Sequence, residues 1–161
     1  MTIRAATAED AEAICAIWNP VIRDTGITFN AVEKTTGDIC AMIDEKAALG
    51  YAFLVVDEGG VQGFGTYGQF RGGVGYARTA EHSIILGAAT RGKGIGRALM
   101  AALESDAKAQ GFHSMFAGVS GENRAGVRFH AALGYAEVVT LREVGYKFDR
   151  WFDLVLMQKM L

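Results

Sequence analysis

The sequence has few of the features that mark secreted, membrane-bound or nucleic-acid-binding chains. Its only cysteines, Cys15 and Cys40, lie in amphipathic helical patterns, so we expect two packed thiols rather than a disulfide or a metal site. It has no run of about 18 apolar residues and no charged-then-apolar leader, which argues against membrane insertion and secretion. A net formal charge of −2 argues against broad nucleic-acid binding, for which a basic excess is expected. We therefore expect a cytoplasmic protein with no bound metal.

Proline is equally scarce, whereas glycine is abundant. The single proline, Pro20, interrupts an apolar helical stripe, and we expect it to bend or end that helix before Gly26 because it lacks a backbone N–H. The stretch 19–30 is then a bend or loop. The 21 glycines are dispersed among aliphatic residues rather than gathered in low-complexity runs. We expect one domain over residues 1–161, long enough to bury a core without disulfides or metal.

Periodic apolar patterns predict eleven elements in the order β, α, α, β, β, β, α, β, α, β, β. This order is typical of an α/β protein with a three-layer α/β/α sandwich around a mixed sheet. The predicted strands cover 2–5, 51–56, 61–67, 84–87, 114–119, 135–141 and 151–157.

One apolar strand runs through a glycine-rich turn into a helix that begins near Gly94. The first N–H groups of a helix lack internal partners and carry partial positive charge, so this junction is suited to bind an anion. Glycine at positions 92, 94 and 96 allows close approach of a phosphate, and three basic residues surround the turn, namely Arg91, Lys93 and Arg97. A diphosphate fits such a site.

Two common phosphate-binding loops do not match this turn. The P-loop requires Gly-x-x-x-x-Gly-Lys followed by serine or threonine, and the chain has neither that spacing nor the hydroxyl. The dinucleotide fingerprint requires Gly-x-Gly-x-x-Gly, whereas this chain has Gly-x-Gly-x-Gly. A nucleotide-binding module is therefore disfavoured.

The segment Arg91-Gly-Lys-Gly-Ile-Gly-Arg-Ala98 resembles the Gln/Arg-x-x-Gly-x-Gly/Ala signature of the GNAT superfamily, the acyl-CoA-dependent N-acetyltransferases. The segments Thr79–Ser83 and Val144–Asp153 resemble the phosphinothricin acetyltransferase group within it. The resemblance covers almost the whole chain and implies the GNAT acyl-CoA N-acyltransferase fold. Further matching segments are Ile17–Asn19, Thr28–Phe29 and Gly121–Tyr135.

The resemblance implies that acetyl-CoA is the co-substrate. In the family the loop amides hold the pyrophosphate, and the preceding strand pairs with the pantetheine arm and supplies an oxyanion N–H, here near Ile85. Asn123 matches an asparagine that bonds the pantetheine arm, although asparagine is also a common helix N-cap. The residues implied are Ile84, Ile85, Leu86, Arg91, Gly92, Lys93, Gly94, Ile95, Gly96, Arg97 and Asn123.

Acetyl transfer to an amine requires a base, because ammonium has no lone pair. The resemblance assigns this role to Glu81, which by strand alternation shares a face with Ser83 and Ile85. His82 is the rival base on the opposite face. His130 lies at the position where GNAT enzymes often have a tyrosine that protonates the leaving thiolate. The phosphinothricin group usually has a histidine at this position. His130 is thus a candidate acid, and a purely structural role is the alternative.

The acceptor site is less well marked. Arg71 and Arg78 are candidates to hold a carboxylate, since a guanidinium can form two parallel hydrogen bonds with it. Phe29 matches an aromatic residue beside the acceptor pocket in the phosphinothricin group, although plain packing is equally compatible. Tyr146 lies in a segment that in this group helps to form a homodimer and line the neighbouring pocket.

The implied function is acetylation of the α-amine of a small amino-acid-like acceptor, such as phosphinothricin, methionine sulfoximine or methionine sulfone. Two alternatives are open from the sequence. The acceptor could be another amine, such as another amino acid, a polyamine or a protein N-terminus. The chain could also be a non-catalytic acyl-CoA-binding sensor, which has no need of Glu81.

Overall fold

The computed structural model describes residues 1–90 and 92–161, and Arg91 lies outside the described residues. A mixed sheet of seven strands in the order β1-β2-β3-β4-β5-β7-β6 forms the centre, and β4 and β5 are its parallel pair. The strands are β1 Thr2–Ala5, β2 Phe53–Asp57, β3 Val61–Gln69, β4 Thr79–Leu86, β5 Ser114–Ser120, β6 Ala136–Lys147 and β7 Arg150–Met160. The helices are α1 Ala11–Asp24, α2 Thr36–Leu49, α3 Ile95–Ala109 and α4 Arg124–Ala132.

Helices cover both faces of the sheet. Ile14 of α1 and Ile39 of α2 are fully buried in one apolar cluster with Phe64 of β3. Leu99 of α3 is buried in the other cluster with Met115 of β5. Strand alternation sends successive side chains to the two clusters. The predicted order of elements and the three-layer α/β/α sandwich are thus confirmed.

The parallel pair β4–β5 is paired along only half of its length. Its register runs from Thr79 opposite Ser114 to His82 opposite Ala117 and then stops, although β4 continues to Leu86 and β5 to Ser120. The two strands therefore diverge and leave a wedge in the middle of the sheet.

The first helix ends before Gly26, as predicted, but the prediction that a bend or loop begins at residue 19 was wrong. Helix α1 continues through Pro20 to Asp24, and the loop begins at Thr25. Pro20 cannot donate to the carbonyl of Ala16, but both residues line a cavity, so the missing bond does not lie in the packed core. The apolar stripe of α1 stabilises the helix beyond the proline.

The last two strands are longer than predicted. β6 and β7 form a hairpin joined by Phe148 and Asp149, both in the left-handed region at φ of 54° and 57°. A two-residue turn of this kind matches the twist of the flanking strands. Tyr146 therefore lies on a strand, next to the turn. In residues 1–90 and 92–161 no helix is long and apolar enough to cross a membrane.

Candidate active site

The wedge between β4 and β5 opens into a cavity of about 930 Å³. Both helical layers contribute to it, so the cavity passes through the sheet from one face to the other. Ile84, Ile85 and Leu86 form the strand side of the cavity. Other lining residues predicted from the sequence are Gly92, Gly94, Ile95, Gly96, Arg97, Asn123 and His130.

The strand side of the cavity has an unpaired backbone edge. Ile84, Ile85 and Leu86 pair with β3, but β5 has already diverged from them at this depth. The backbone N–H and C=O groups that point away from β3 are therefore left for another partner. An extended ligand with amide groups can pair with such an edge as an added strand does.

The glycine-rich turn forms the far end of the cavity. Gly92 and Gly94 have φ of 75° and 73°, a conformation that glycine adopts without strain, and a Cβ at either would meet no atom of the described residues within 4 Å. Gly94 is the N-cap of α3 and supplies no side chain, so the first N–H groups of α3 are free to bind an anion. Gly96 serves packing instead, because a Cβ there would lie 2.9 Å from Leu86 and Phe129.

Two basic residues of the turn make contacts with other parts of the chain. Arg97 is exposed and its Nη2 donates to the carbonyl of Ala132 at 3.3 Å, although Arg97 still lines the cavity. Lys93 does not line it, and its Nζ lies 4.0 Å from Glu58. Arg91, also predicted to bind the cofactor, lies outside the described residues. The backbone of the turn is thus better placed than its described cations to hold a phosphate.

Asn123 is the helix N-cap that the sequence suggested, and it also borders the cavity. Its Oδ1 accepts a hydrogen bond of 2.9 Å from the N–H of Gly126, which caps α4. The same side chain lines the cavity. A Cβ on Gly126 would lie 2.5 Å from Nδ2 of Asn123, so glycine at position 126 makes room for the amide.

Glu81 lies on an open face of the sheet, which we define by the exposed residues Glu81, Ser83 and Gly118 of the central strands β4 and β5. This face is the one that carries α1 and α2 elsewhere, since Ile85 packs into their cluster. A Cβ on Gly118 would lie 4.0 Å from Oε1 of Glu81, so the carboxylate extends over that glycine. Partial desolvation raises the pKa of the Glu81 carboxyl above its ordinary value. Glu81 is solvent-accessible and yet favoured as a proton acceptor.

His82 points to the opposite face, as strand alternation predicted, and contacts His130 of α4. Their Nε2 atoms are 3.0 Å apart, and Nδ1 of His130 lies 2.8 Å from the carbonyl oxygen of Gly126. A carbonyl can only accept, so Nδ1 of His130 carries the proton and Nε2 of His82 donates to Nε2 of His130. Burial lowers the pKa of both imidazoles, which keeps the pair neutral.

Phe29 and Tyr146, predicted to bind the acceptor, both lie near the β6–β7 hairpin. The Phe29 ring packs over Gly145 and 5.5 Å from the Phe152 ring, and its loop neighbours Thr25 and Ile27 line the cavity. Tyr146 is 55% exposed and packs on Trp151. Neither aromatic ring lines the cavity itself.

Lys147, which lies beside Tyr146 in the segment that resembles the phosphinothricin group, holds the loop after α1. Its buried Nζ donates to the carbonyls of Thr25 at 2.6 Å and Thr28 at 2.9 Å. Arg150 forms an ion pair with Glu122, and a Cβ on Gly26 would lie 2.8 Å from that carboxylate. The loop after α1, which lines part of the cavity, is thus bonded to the β6–β7 hairpin.

The two arginines predicted to hold a carboxylate are separated from each other. Arg78 turns toward the C-terminal end of α3, where Nη1 lies 3.5 Å from the carbonyl of Gly111. Arg71 is exposed and its guanidinium lies 5.6 Å from the centre of the Tyr76 ring. The structure does not bring them together on one ligand.

Comparison with known proteins identifies the family. A sequence profile of the acetyltransferase (GNAT) domain matches residues 3–156. The chain belongs to the GNAT acetyltransferase family. It is 38% identical over 162 residues to the L-methionine sulfoximine/L-methionine sulfone acetyltransferase of Salmonella typhimurium, with 100% of this chain and 95% of that protein aligned.

Solved structures of GNAT acetyltransferases share the whole fold. One is an acetyltransferase from Salmonella typhimurium with its cofactor acetyl-CoA, at a TM-score of 0.94 and 38% identity, covering 100% of this chain and 94% of that one. Another is a phosphinothricin acetyltransferase from Sinorhizobium meliloti in complex with acetyl-CoA, at a TM-score of 0.92 and 31% identity, covering 99% and 88%. The resemblance to GNAT acetyltransferases of the phosphinothricin and methionine sulfoximine group is confirmed.

The structure of this GNAT protein also shows cavity residues that the sequence did not reveal. One face of α1 lines the cavity opposite the glycine turn, and so does the apolar side of α4. Their apolar stripes carry no signal that separates a cavity wall from a packed core. These residues are Ala16, Ile17, Pro20, Val21, Ala125, Phe129, Ala132 and Leu133.

Proposed function

We propose that the protein transfers the acetyl group of acetyl-CoA to the α-amine of a small amino-acid-like acceptor. The observation that carries this proposal is the cavity that joins the free strand edge of Ile84–Leu86 to the N-terminus of α3, with Glu81 three residues earlier on the same strand. The names of the relatives support the acceptor class: methionine sulfoximine and methionine sulfone for one, phosphinothricin for another.

Acetyl-CoA fits the cavity in chemistry and shape. The N–H groups at the start of α3 and the backbone of Gly92 and Gly94 bind its pyrophosphate. The free edge of Ile84–Leu86 pairs with the amides of its pantetheine arm, and the remaining capacity of the Asn123 amide bonds the same arm. The thioester then lies at the vertex, where an N–H near Ile85 stabilises the oxyanion that forms on attack.

Glu81 provides the base. The acceptor reaches the thioester from the open face, where the carboxylate of Glu81 takes a proton from its ammonium group, directly or through a water molecule. The amine nitrogen then forms a bond to the acetyl carbon, and the carbon–sulfur bond breaks. A carboxyl with a raised pKa is a better general base near neutral pH than an ordinary glutamate.

His130 has a structural role in this arrangement, since its ring links α4 to His82 of β4. Both of its ring nitrogens are engaged, with Gly126 and with His82, so no N–H of His130 faces the leaving sulfur. Protonation of the thiolate by His130, as predicted from the sequence, requires the ring to turn away from His82. A thiolate, whose conjugate acid has a pKa of about 8.5, leaves with only modest help.

The same proposal includes a homodimer that works in the cytoplasm, where acetyl-CoA is available. The edge strand β6 and its hairpin expose an unusual number of apolar side chains, which a second copy can cover. These are Val138, Val139, Leu141, Val144, Tyr146, Phe148 and Trp151.

Release of free thiol from acetyl-CoA tests the proposal. The acceptors to compare are methionine sulfone, methionine sulfoximine, phosphinothricin, the ordinary amino acids and a polyamine. We expect turnover with the sulfone or sulfoximine that exceeds turnover with the polyamine. Binding of acetyl-CoA without thiol release on any amine would refute the enzymatic proposal and favour a sensor.

A further inference from the structure

Lys46 places an ammonium group at the border of the open face. Its side chain reaches from α2 to β3, where a Cβ on Gly68 would lie 2.8 Å from Nζ. Gly68 is paired with Glu81 across β3 and β4. Residues directly opposite in an antiparallel pair project from the same face, so Lys46 and Glu81 lie over neighbouring strands on one side of the sheet.

This ammonium has no anionic partner in the part of the chain that the structure describes. Lys147 and Lys159, by contrast, are held by two carbonyls and by Glu104. Partial desolvation lowers the pKa of the Lys46 ammonium and outweighs the opposing effect of the Glu45 charge. A partly desolvated cation without a partner is costly, and an external anion would offset that cost.

The separation between Lys46 and Glu81 suits an α-amino acid. Nζ of Lys46 lies over β3 and the Glu81 carboxylate extends from β4 toward β5, so they are about two strand spacings, roughly 10 Å, apart. An α-amino acid bonded at both ends spans about 8–9 Å, from two hydrogen bonds of about 2.8 Å and about 3 Å between its amine and carboxylate. The remaining difference of about 1–2 Å lies within the reach of small rotations of the two side chains.

We propose that Lys46 binds the α-carboxylate of the acceptor while Glu81 faces its amine. The inference rests on the proposed function and assigns the carboxylate to a residue other than Arg71 and Arg78. Gly68 and Gly118 lie on either side of Glu81 and leave the room that the acceptor backbone needs. The acceptor side chain then extends along the open face past Phe116, which stacks on Phe70.

The test compares two acceptors that differ only in the carboxylate. They are methionine sulfone and 3-(methylsulfonyl)propylamine, its decarboxylated analogue, each assayed by thiol release with Lys46→Met. We expect the KM for the sulfone to rise about tenfold to hundredfold, as for loss of a charged hydrogen bond. The kinetic constants for the decarboxylated amine and the KM for acetyl-CoA should stay within about twofold of those of the parent enzyme.

Matched variants make the result specific. Lys108→Met removes an exposed lysine from α3 and should leave the KM for both acceptors unchanged. Lys46→Arg should recover part of the affinity for the sulfone that Lys46→Met loses. Lys46→Gln gives the same comparison if the methionine variant is unstable. An unchanged KM for the sulfone, or an equal loss for both acceptors, would overturn the assignment.

The same panel separates this inference from the proposed function. Arg71→Met and Arg78→Met are measured beside the lysine variants. If one of these arginine variants raises the KM for the sulfone but not for the decarboxylated amine, and Lys46→Met does not, then that arginine binds the carboxylate and the role of Lys46 is overturned. A parent enzyme that acetylates amines but shows no Lys46 effect would overturn only this inference. A parent enzyme that acetylates no amine would overturn both.

Discussion

Replacing Glu81 with glutamine tests the proposed base with little change in shape. The carboxylate extends over Gly118 on an exposed part of the sheet, and no hydrogen bond of the core among residues 1–90 and 92–161 involves it. The amide keeps the size of the side chain and removes the proton acceptor. The fold and the acetyl-CoA cavity should therefore be unaffected.

The expected loss follows from the role of a general base. Positioned acid–base groups typically contribute about 10²–10⁴ in rate, so kcat of Glu81→Gln should fall by that factor. Because desolvation raises the pKa of Glu81, the base form is populated only above that raised pKa, and kcat/KM of the parent enzyme should climb with pH through it. In Glu81→Gln this increase of kcat/KM should be absent, and only the increase caused by deprotonation of the acceptor amine should remain.

Thiol release as a function of pH and calorimetric titration with acetyl-CoA measure the two quantities separately. Glu12→Gln, an exposed glutamate on α1, is the control and should behave as the parent enzyme does. The reasoning is refuted if Glu81→Gln retains kcat within about threefold. It is also refuted if acetyl-CoA affinity falls as much as kcat, since Glu81 would then serve binding.

Three other variants test the surroundings of the cavity. His82→Leu should lower the free energy of unfolding by about 1–2 kcal/mol in urea titrations, because His130 loses the donor to its Nε2; an unchanged midpoint would contradict that bond. Gly126→Ala should raise the KM for acetyl-CoA by about twofold to tenfold, because the new methyl group displaces the Asn123 amide; an equal KM would show that the amide is not used. Gly145→Ala should overlap the Phe29 ring, cost about 1–3 kcal/mol of stability and raise the acceptor KM alone; a raised KM for acetyl-CoA instead would place Phe29 on the cofactor side.

Local patterns were sufficient to predict the element order and the glycine-rich turn at the start of α3. Gly92 and Gly94 act through their own backbone conformations, which are properties of neighbouring residues in the chain. The opposite orientation of Glu81 and His82 follows from strand alternation alone. Such features can be predicted because they depend on few residues at short separation.

Features that depend on distant parts of the chain could not be predicted. Lys46 looks like an ordinary surface lysine in the sequence, yet it lies against Gly68. The segment 144–153 gave no sign that Lys147 bonds a loop more than a hundred residues away. The continuation of α1 past Pro20 depends on packing that outweighs one lost hydrogen bond. These outcomes are decided by which elements the fold brings together.

The short register between β4 and β5 also limits the backbone pairing between the two halves of the sheet. Four residue pairs join a half made of β1 to β4 to a half made of β5 to β7. A pantetheine arm that pairs with β4 in the wedge would add contacts between the two halves, so the bound co-substrate would stabilise the sheet. Ligand at 100 times its dissociation constant adds about 2.7 kcal/mol to the stability of the form that binds it. The stability of the folded enzyme would then rise and fall with the concentration of acetyl-CoA in the cell.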